Sequence, residues 1–333
     1  MENLDFKIRN YLLSNNLYKK LNLEENFNIS FLAQGEYNIN YKIEDSKNKY
    51  VFRINTASQL NLDNQIEYEF NALKILKEST VTPRPLYVDG TKESFDFGIL
   101  IMEFLNGVPL NYSTDLHKAA CIFSKIHTLN MPKNSGLIVE TNIMSDRINE
   151  SSWLLKDFFN SPIPNLDLKR FFHNYLNWCE KNKFLEKYFI NNDLLVLNNT
   201  EVNSHNFIIG ENSYLIDWEK PVISHPCQDL TQFLADTTTL WRSNHLINTK
   251  DKDDFLKLYC NKTNFNFKDI KESINLYNPY LYLRALSWCA MALVKYQTEE
   301  KLIRNDEIFN KIQQYLNKEF INNLLKEYID FKI

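Results

Sequence analysis

Five short apolar runs lie between residues 28 and 104, at 28–32, 39–43, 50–54, 86–88 and 98–104; beyond Pro109 the apolar residues recur at helical spacing instead. Segments with a period near 2 settle as strands and segments with a period near 3.6 as helices. The change of rhythm therefore divides the chain into a strand-rich first part and a mostly helical remainder. Residues 28–54 read as an antiparallel meander, with Gly35 in its first turn. Residues 98–104 are apolar on both faces, as in a central strand. One helix interrupts the strands at 64–77, and another precedes them at 3–21. After the short break Asn106-Gly107-Val108-Pro109, residues 115–129 carry one apolar face, 150–190 hold one or two aromatic-rich helices, and 252–333 hold several more. A β-like island at 206–219 is the exception among these helices. The fold class expected is α+β, with two lobes and a cleft between them.

Composition narrows the function. A length of 333 residues exceeds one ordinary core. A net charge of −4 argues against a nucleic-acid partner. The five cysteines, Cys121, Cys179, Cys227, Cys260 and Cys289, are odd in number and lack C-x-x-C spacing, which disfavours a disulfide framework or a zinc site. The most apolar stretch, 281–294, is broken by Arg284 and too short to span a bilayer, so no membrane partner is expected. The start Met1-Glu2-Asn3-Leu4-Asp5 is acidic and polar, unlike a signal peptide, and a cytoplasmic protein is expected. Oligomeric state leaves no readable trace.

The chemistry concentrates in the β-like island. Glu201, Asn206 and Asp217 lie on loops flanking a hairpin, and closing the hairpin brings the three polar groups to one end of it. Magnesium takes hard oxygen ligands: one or two carboxylates, an amide and phosphate oxygens suffice. Phosphoryl transfer needs these parts, together with a carboxylate near the attacking hydroxyl.

The segment resembles the catalytic and metal loops of the aminoglycoside phosphotransferase and choline kinase superfamily, whose pattern is H-x-D-x-x-x-x-N followed by an aspartate, often within Asp-Trp-Glu. Asn206 and Asp217-Trp218-Glu219 match it; Asn199 stands in the place of the His and Glu201 in that of the Asp. The resemblance implies a protein-kinase-like fold, with residues 1–104 as a nucleotide-binding lobe and 105–333 as a helical lobe carrying the catalytic and metal loops and the acceptor pocket. It implies Mg²⁺ held by Asn206 and Asp217, assisted by Glu219, and Glu201 as the catalytic carboxylate. Gln34-Gly35-Glu36-Tyr37-Asn38 is similar to the family's phosphate-covering hairpin, which makes Gly35 and Asn38 cofactor-binding. Arg53 is placed for the phosphates of ATP or GTP, Glu69 to pair with it, and Met102-Glu103-Phe104 resembles the hinge that meets the base. The activity implied is phosphorylation of a hydroxyl on a small-molecule acceptor such as an amino alcohol, an aminoglycoside or a sugar. A catalytically silent nucleotide-binding or regulatory protein on the same fold is the second reading, motivated by Asn199 and Glu201. Asp229 reads as structural, capping a helix or bracing the catalytic loop. Tyr277, Tyr280, Tyr282 and Trp288 read as helix core rather than as a cage for a cationic amine.

Overall fold

The structure, a computed structural model, describes residues 4–35, 37–58, 60–132, 134–298 and 306–331. Glu36 of the glycine turn, and the parts of the expected helices at residue 3 and at 299–305, lie outside the described residues.

The chain opens with α1 (Leu4–Ser14) and α2 (Leu17–Lys20), where the alternation of apolar residues implied one continuous helix. Asn16 adopts a left-handed conformation between them (φ 53°), which asparagine tolerates better than most residues. There follow β1 (Asn28–Gln34), β2 (Asn38–Glu44), β3 (Lys49–Asn55), α3 (Gln65–Leu76), β4 (Pro85–Asp89) and β5 (Gly98–Glu103). The five strands form one antiparallel sheet in the order β1-β2-β3-β5-β4. β3 and β5 are its most deeply covered strands. Phe52, Ile54, Ile99 and Ile101 meet Ile8, Tyr11 and Leu12 of α1 on one face, while Val51, Leu100 and Met102 meet Ile66, Leu73 and Leu76 of α3 on the other. Both faces of β5 are thus buried, which is why its sequence does not alternate.

The remainder comprises β6 (Val108–Pro109), α4 (Leu116–His127), β7 (Val139–Glu140), α5 (Ile143–Asn160), α6 (Leu166–Asn182), α7 (Lys187–Ile190), β8 (Val196–Asn198), β9 (Phe207–Ile209), β10 (Ser213–Leu215), β11 (Val222–Ser224), α8 (Cys227–Leu234), α9 (Asp236–Arg242), α10 (Thr249–Thr263), α11 (Phe267–Thr298), α12 (Asp306–Tyr315) and α13 (Lys318–Leu325). Two small sheets, β10-β9-β6 and β7-β11-β8, sit among these helices and hold the loops between β8 and β11. The 32-residue α11 packs along α5, α8 and α12. The core of this part is continuous with the α3 face of the sheet. Among the described residues no helix is long and apolar enough to cross a membrane.

The placement of α3 depends on a close approach. A Cβ at Gly98 would lie 2.7 Å from Cγ2 of Ile66, a branched side chain with no room to swing away. Gly98→Ala therefore pushes α3 off β5. A loss of about 1–3 kcal/mol is expected in urea unfolding, the cost of overpacking a filled core; an unchanged midpoint would contradict this packing.

His225, between β11 and α8, gives a pH signature. It is buried against Phe189, and its Nδ1 accepts the N–H of Cys227. Burial, and then the neighbouring His127, hold its pKa down to about 4 against an ordinary 6.5. Between those values the unfolded chain binds the proton and the folded chain does not. Stability from this residue is complete above pH 6.5 and declines as pH falls towards 4, by on the order of 3 kcal/mol. Unfolding curves across that window are expected to lose much of their slope in His225→Gln; an identical slope in the variant would assign the effect elsewhere.

Candidate functional site

Two loops meet at the end of the β9–β10 hairpin. The backbone N–H of Ile216 donates to the carbonyl of Asn206 at 2.8 Å, which sets the two loops side by side. Asn199 ties them further: its Nδ2 donates to the carbonyl of Asp217 at 2.9 Å, and its Oδ1 accepts the N–H of Glu201 at 3.1 Å. One amide, with a donor and an acceptor, thus links the loop carrying Glu201 to the loop carrying Asp217. Asn206 Nδ2 donates to the carbonyl of Glu201 at 2.7 Å, which tightens the turn between them. The fully buried Asp229 accepts the N–H groups of Asn199 at 2.8 Å and Thr200 at 2.7 Å, so it braces the loop that carries Glu201. Thr200 and Asp217 hold left-handed backbone conformations (φ 65° and 64°), a cost these bonds offset.

The loops present carboxylates to a shared point. Ligand oxygens of Glu201, Asp217 and Glu219 lie within 4.8 Å of one another. The sheet supplies the countercharge. The guanidinium of Arg53, on β3, reaches Glu69 of α3 at 2.5 Å, Asp217 at 3.2 Å and Oδ1 of Asn40 on β2 at 3.0 Å. Asn38 donates to the Glu219 carboxylate, and Gln65 of α3 donates to the Glu219 carbonyl at 2.5 Å. Three carboxylates, Glu69, Asp217 and Glu219, face one arginine, and burial together with this crowding shows in the titration of the acids. Burial, then the charges of Asp217 and Glu201, push Glu219 up to about 8. Burial lifts Glu69 to about 7 against the pull of Arg53. Burial opposes the charge on Arg53 as well, but Glu69, Asp217 and Glu219 outweigh it and raise its pKa. A cluster of hard oxygen donors short of positive charge fits a hard divalent cation.

A pocket of 310 Å³ opens beside Glu201, with Trp241 and Trp288 on one wall and Arg242 and Arg284 on another. A smaller cavity lined by Lys220 and Arg147 shares Gln232, Leu281 and Arg284 with it. Tyr277, Tyr280 and Tyr282 are buried in the helical core, in keeping with the core reading; Trp288 borders the pocket.

The structure brings together Glu201, Asp217, Glu219, Arg53, Glu69 and Asn38, with Asn206 behind the loop. The hinge reading concerns backbone groups, and the side chains there have partners of their own. Glu103 turns its side chain to Arg84 at 3.1 Å, and the Phe104 ring lies 5.9 Å from the Lys42 ammonium, at the far end of β5. Gly35 is exposed, its N–H bonded to the Asn38 carbonyl at 2.9 Å. Sequence reading passed over Gln65, Lys220, Arg242 and Arg284. Lys220, next after Asp217-Trp218-Glu219, was the one with a positional signal.

A twisted sheet and one helix set over a helical part, with carboxylate loops at their junction, is the architecture of kinase-like phosphotransferases. Residues 28–255 match the phosphotransferase enzyme family, and the chain belongs to it. No curated protein sequence matches the chain. Among solved structures, it is similar to an ethanolamine kinase of Plasmodium vivax (TM-score 0.65, 15% identity, 98% of this chain and 91% of that one). It is also similar to a spectinomycin phosphotransferase solved with ADP and spectinomycin (0.59, 14%, 89% and 91%) and to a choline kinase of Cryptosporidium parvum (0.58, 14%, 92% and 94%). These likenesses establish the kinase-like fold.

The brace at Asp229 is open to test. Asp229→Asn turns an amide N–H₂ towards at least one buried backbone donor, at a cost of about 1–3 kcal/mol. Amide exchange at Asn199 and Thr200 is expected to accelerate while exchange in β5 stays as it was. Equal protection in both proteins would show that the loop holds itself.

Proposed function

We propose that this protein is an ATP- and Mg²⁺-dependent phosphotransferase that acts on a hydroxyl of a small molecule. The observation that carries the reading is the convergence of Glu201, Asp217 and Glu219 within 4.8 Å, with Glu201 also lining the 310 Å³ pocket. Family membership supports the reaction class. ADP in the spectinomycin phosphotransferase structure, and AMP-PNP in that of another family-like fold, a hygromycin-binding aminoglycoside phosphotransferase, support an adenosine nucleotide as donor; GTP shares the same phosphate chemistry.

Asn206, through Oδ1, and Asp217 are the ligands to hold Mg²⁺, assisted by Glu219, while Nδ2 of Asn206 fixes the loop that carries Glu201. A magnesium ion there supplies positive charge against the phosphate oxygens. Arg53 commits three of its five N–H donors, to Glu69, Asp217 and Asn40, and the two left over are available to phosphate oxygens. The exposed Gly35 turn is the segment assigned to cover the same phosphates, the N–H of Gly35 itself being taken by the Asn38 carbonyl. Glu201 lines the acceptor pocket, so its carboxylate is the group to orient the acceptor hydroxyl and take its proton. The acceptor oxygen bonds to the γ-phosphorus, the bridging bond to the β-phosphate breaks, and ADP departs. The products are a phosphate monoester, ADP and a proton received by Glu201.

Glutamate in place of aspartate need not misplace the carboxylate here. Asn199 and Asn206 hold the loop backbone, and the longer side chain reaches the pocket from that position.

Two variants test the reading with labelled ATP and pooled hydroxyl acceptors. Asp217→Ala is expected to abolish transfer. Glu201→Gln is expected to lower kcat by about 10²–10⁴-fold while ADP binding is retained. Full activity in Asp217→Ala would overturn the metal assignment. Nucleotide binding without transfer to any acceptor would favour the silent nucleotide-binding protein.

A further inference from the structure

The charges in the wall of the acceptor pocket are answered by the protein itself or by solvent. Glu201 is its one carboxylate, and Arg242 and Arg284 are its cations. Glu150 accepts from Nε of Arg284 at 3.1 Å. Burial works against the charge on Glu150, but Arg284, Arg147 and Lys220 outweigh it and hold its pKa down to about 2, so the carboxylate is present to meet them. Arg242 is exposed, and water and salt screen it. The wall therefore holds no surplus of negative charge to draw an ammonium group, and no buried cation waiting for an acid.

What the wall offers to a ligand is uncharged. Gln232 of α8, Thr238 and Trp241 of α9 and Trp288 of α11 line the pocket and are half-buried. Among the described residues, none of these four side chains makes a hydrogen bond with the protein. They present an amide, a hydroxyl and two indole N–H groups, which are met by water or by the hydroxyls of a bound molecule. The rings are not arranged as a cage for a cation, which turns several ring faces towards one point. Trp241 stands edge to face with Trp288 at 5.4 Å and with Tyr315 at 5.5 Å, so these rings cover one another and form a wall. The volume of 310 Å³ is at the small end of the range of about 300–1,000 Å³ for ligand sites, which accommodates one ring rather than several.

Resting on the phosphotransferase reading, we propose that the acceptor is an uncharged polyol the size of one sugar ring. Its reacting hydroxyl lies at Glu201, its other hydroxyls bond to Gln232, Thr238 and the indole N–H groups, and its apolar C–H face packs on the tryptophan wall. The step is the one given above with a ring hydroxyl as the attacking group: its oxygen bonds to the γ-phosphorus, the bond to the departing ADP breaks, and the proton passes to Glu201. An amino sugar or amino alcohol would place its ammonium in a wall with two arginines, where the one carboxylate is already engaged at the reacting end. A sugar acid would place its carboxylate beside Glu201, with Arg284 already bound to Glu150.

The test uses probes matched in shape and different in charge: glucose, glucosamine and glucuronate; galactose, galactosamine and galacturonate; and 3,3-dimethylbutanol against choline. Binding is read by saturation-transfer NMR and phosphoryl transfer by ADP release, at a pH where the amines are protonated. In at least one sugar set the neutral member is expected to have a KM about tenfold or more below its cationic and anionic counterparts. Gln232→Leu and Thr238→Val are each expected to raise that KM about fivefold, the loss of one uncharged hydrogen bond, with ADP affinity unchanged. Arg242→Glu is expected to narrow the gap between the amino sugar and the neutral sugar about tenfold. Preference for an amino sugar, a sugar acid or choline, failure of every neutral sugar to bind, or selectivity that survives all three variants would overturn the proposal. Selective binding of a neutral sugar with no transfer would uphold the pocket assignment and contradict the phosphotransferase reading. Transfer confined to choline or the amino sugars would do the reverse.

Discussion

The guanidinium of Arg53 joins three parts of the molecule. From β3 it holds Asn40 on the neighbouring strand, Glu69 on α3, and Asp217 on the loop that follows β10. Arg53 and Glu69 are almost wholly buried, so the pair is strong only while its geometry is kept; removing one partner leaves the other charge stranded. The sheet, the helix and the metal loop are therefore registered by a single group. Gln65, Asn38 and Tyr68, whose hydroxyl donates to the Pro221 carbonyl at 2.5 Å, repeat the connection with neutral bonds.

The arrangement has a second consequence. One arginine faces Glu69, Asp217 and Glu219, with Glu201 beside the last two; burial first, and then the neighbouring acids, raise Glu69 and Glu219. On the proposed reading, such a site takes a divalent cation together with the phosphates that accompany it. The pocket beside Glu201 has two arginines in its wall. Glu201 belongs to both, lining that pocket and joining the carboxylate cluster.

Much of this was legible in the chain. Two-residue alternation marked β1, β2 and β3, and the doubly buried β5 announced itself as an unbroken apolar run. Amphipathic spacing marked α3 and α4 to within a residue or two of their ends. The pairs β6–β9 and β8–β11 were not legible: strands of two or three residues carry no period, and their partners lie far away in sequence. α5 begins at Ile143, ahead of the expected 150, because its first ten residues carry few apolar side chains, Ile143, Met144 and Ile148, and its start is fixed by Glu186, which accepts the N–H groups of Met144 and Ser145. The site divides the same way. Asn206 and Asp217-Trp218-Glu219 were visible as a motif. The compensation at Asn199, an amide spanning two loops, and the pairing of Asn38 with Glu219, depend on contacts across long sequence separations.

The central claim is that the carboxylates gathered around Arg53 form a divalent-cation site that governs nucleotide binding. Calorimetric titration of ADP, with and without Mg²⁺, into the wild-type protein and Asp217→Asn tests it most directly. The account predicts that Mg²⁺ tightens ADP binding at least tenfold in the wild type and has little effect in the variant. Equal ADP affinity with and without the ion in the wild type would contradict it.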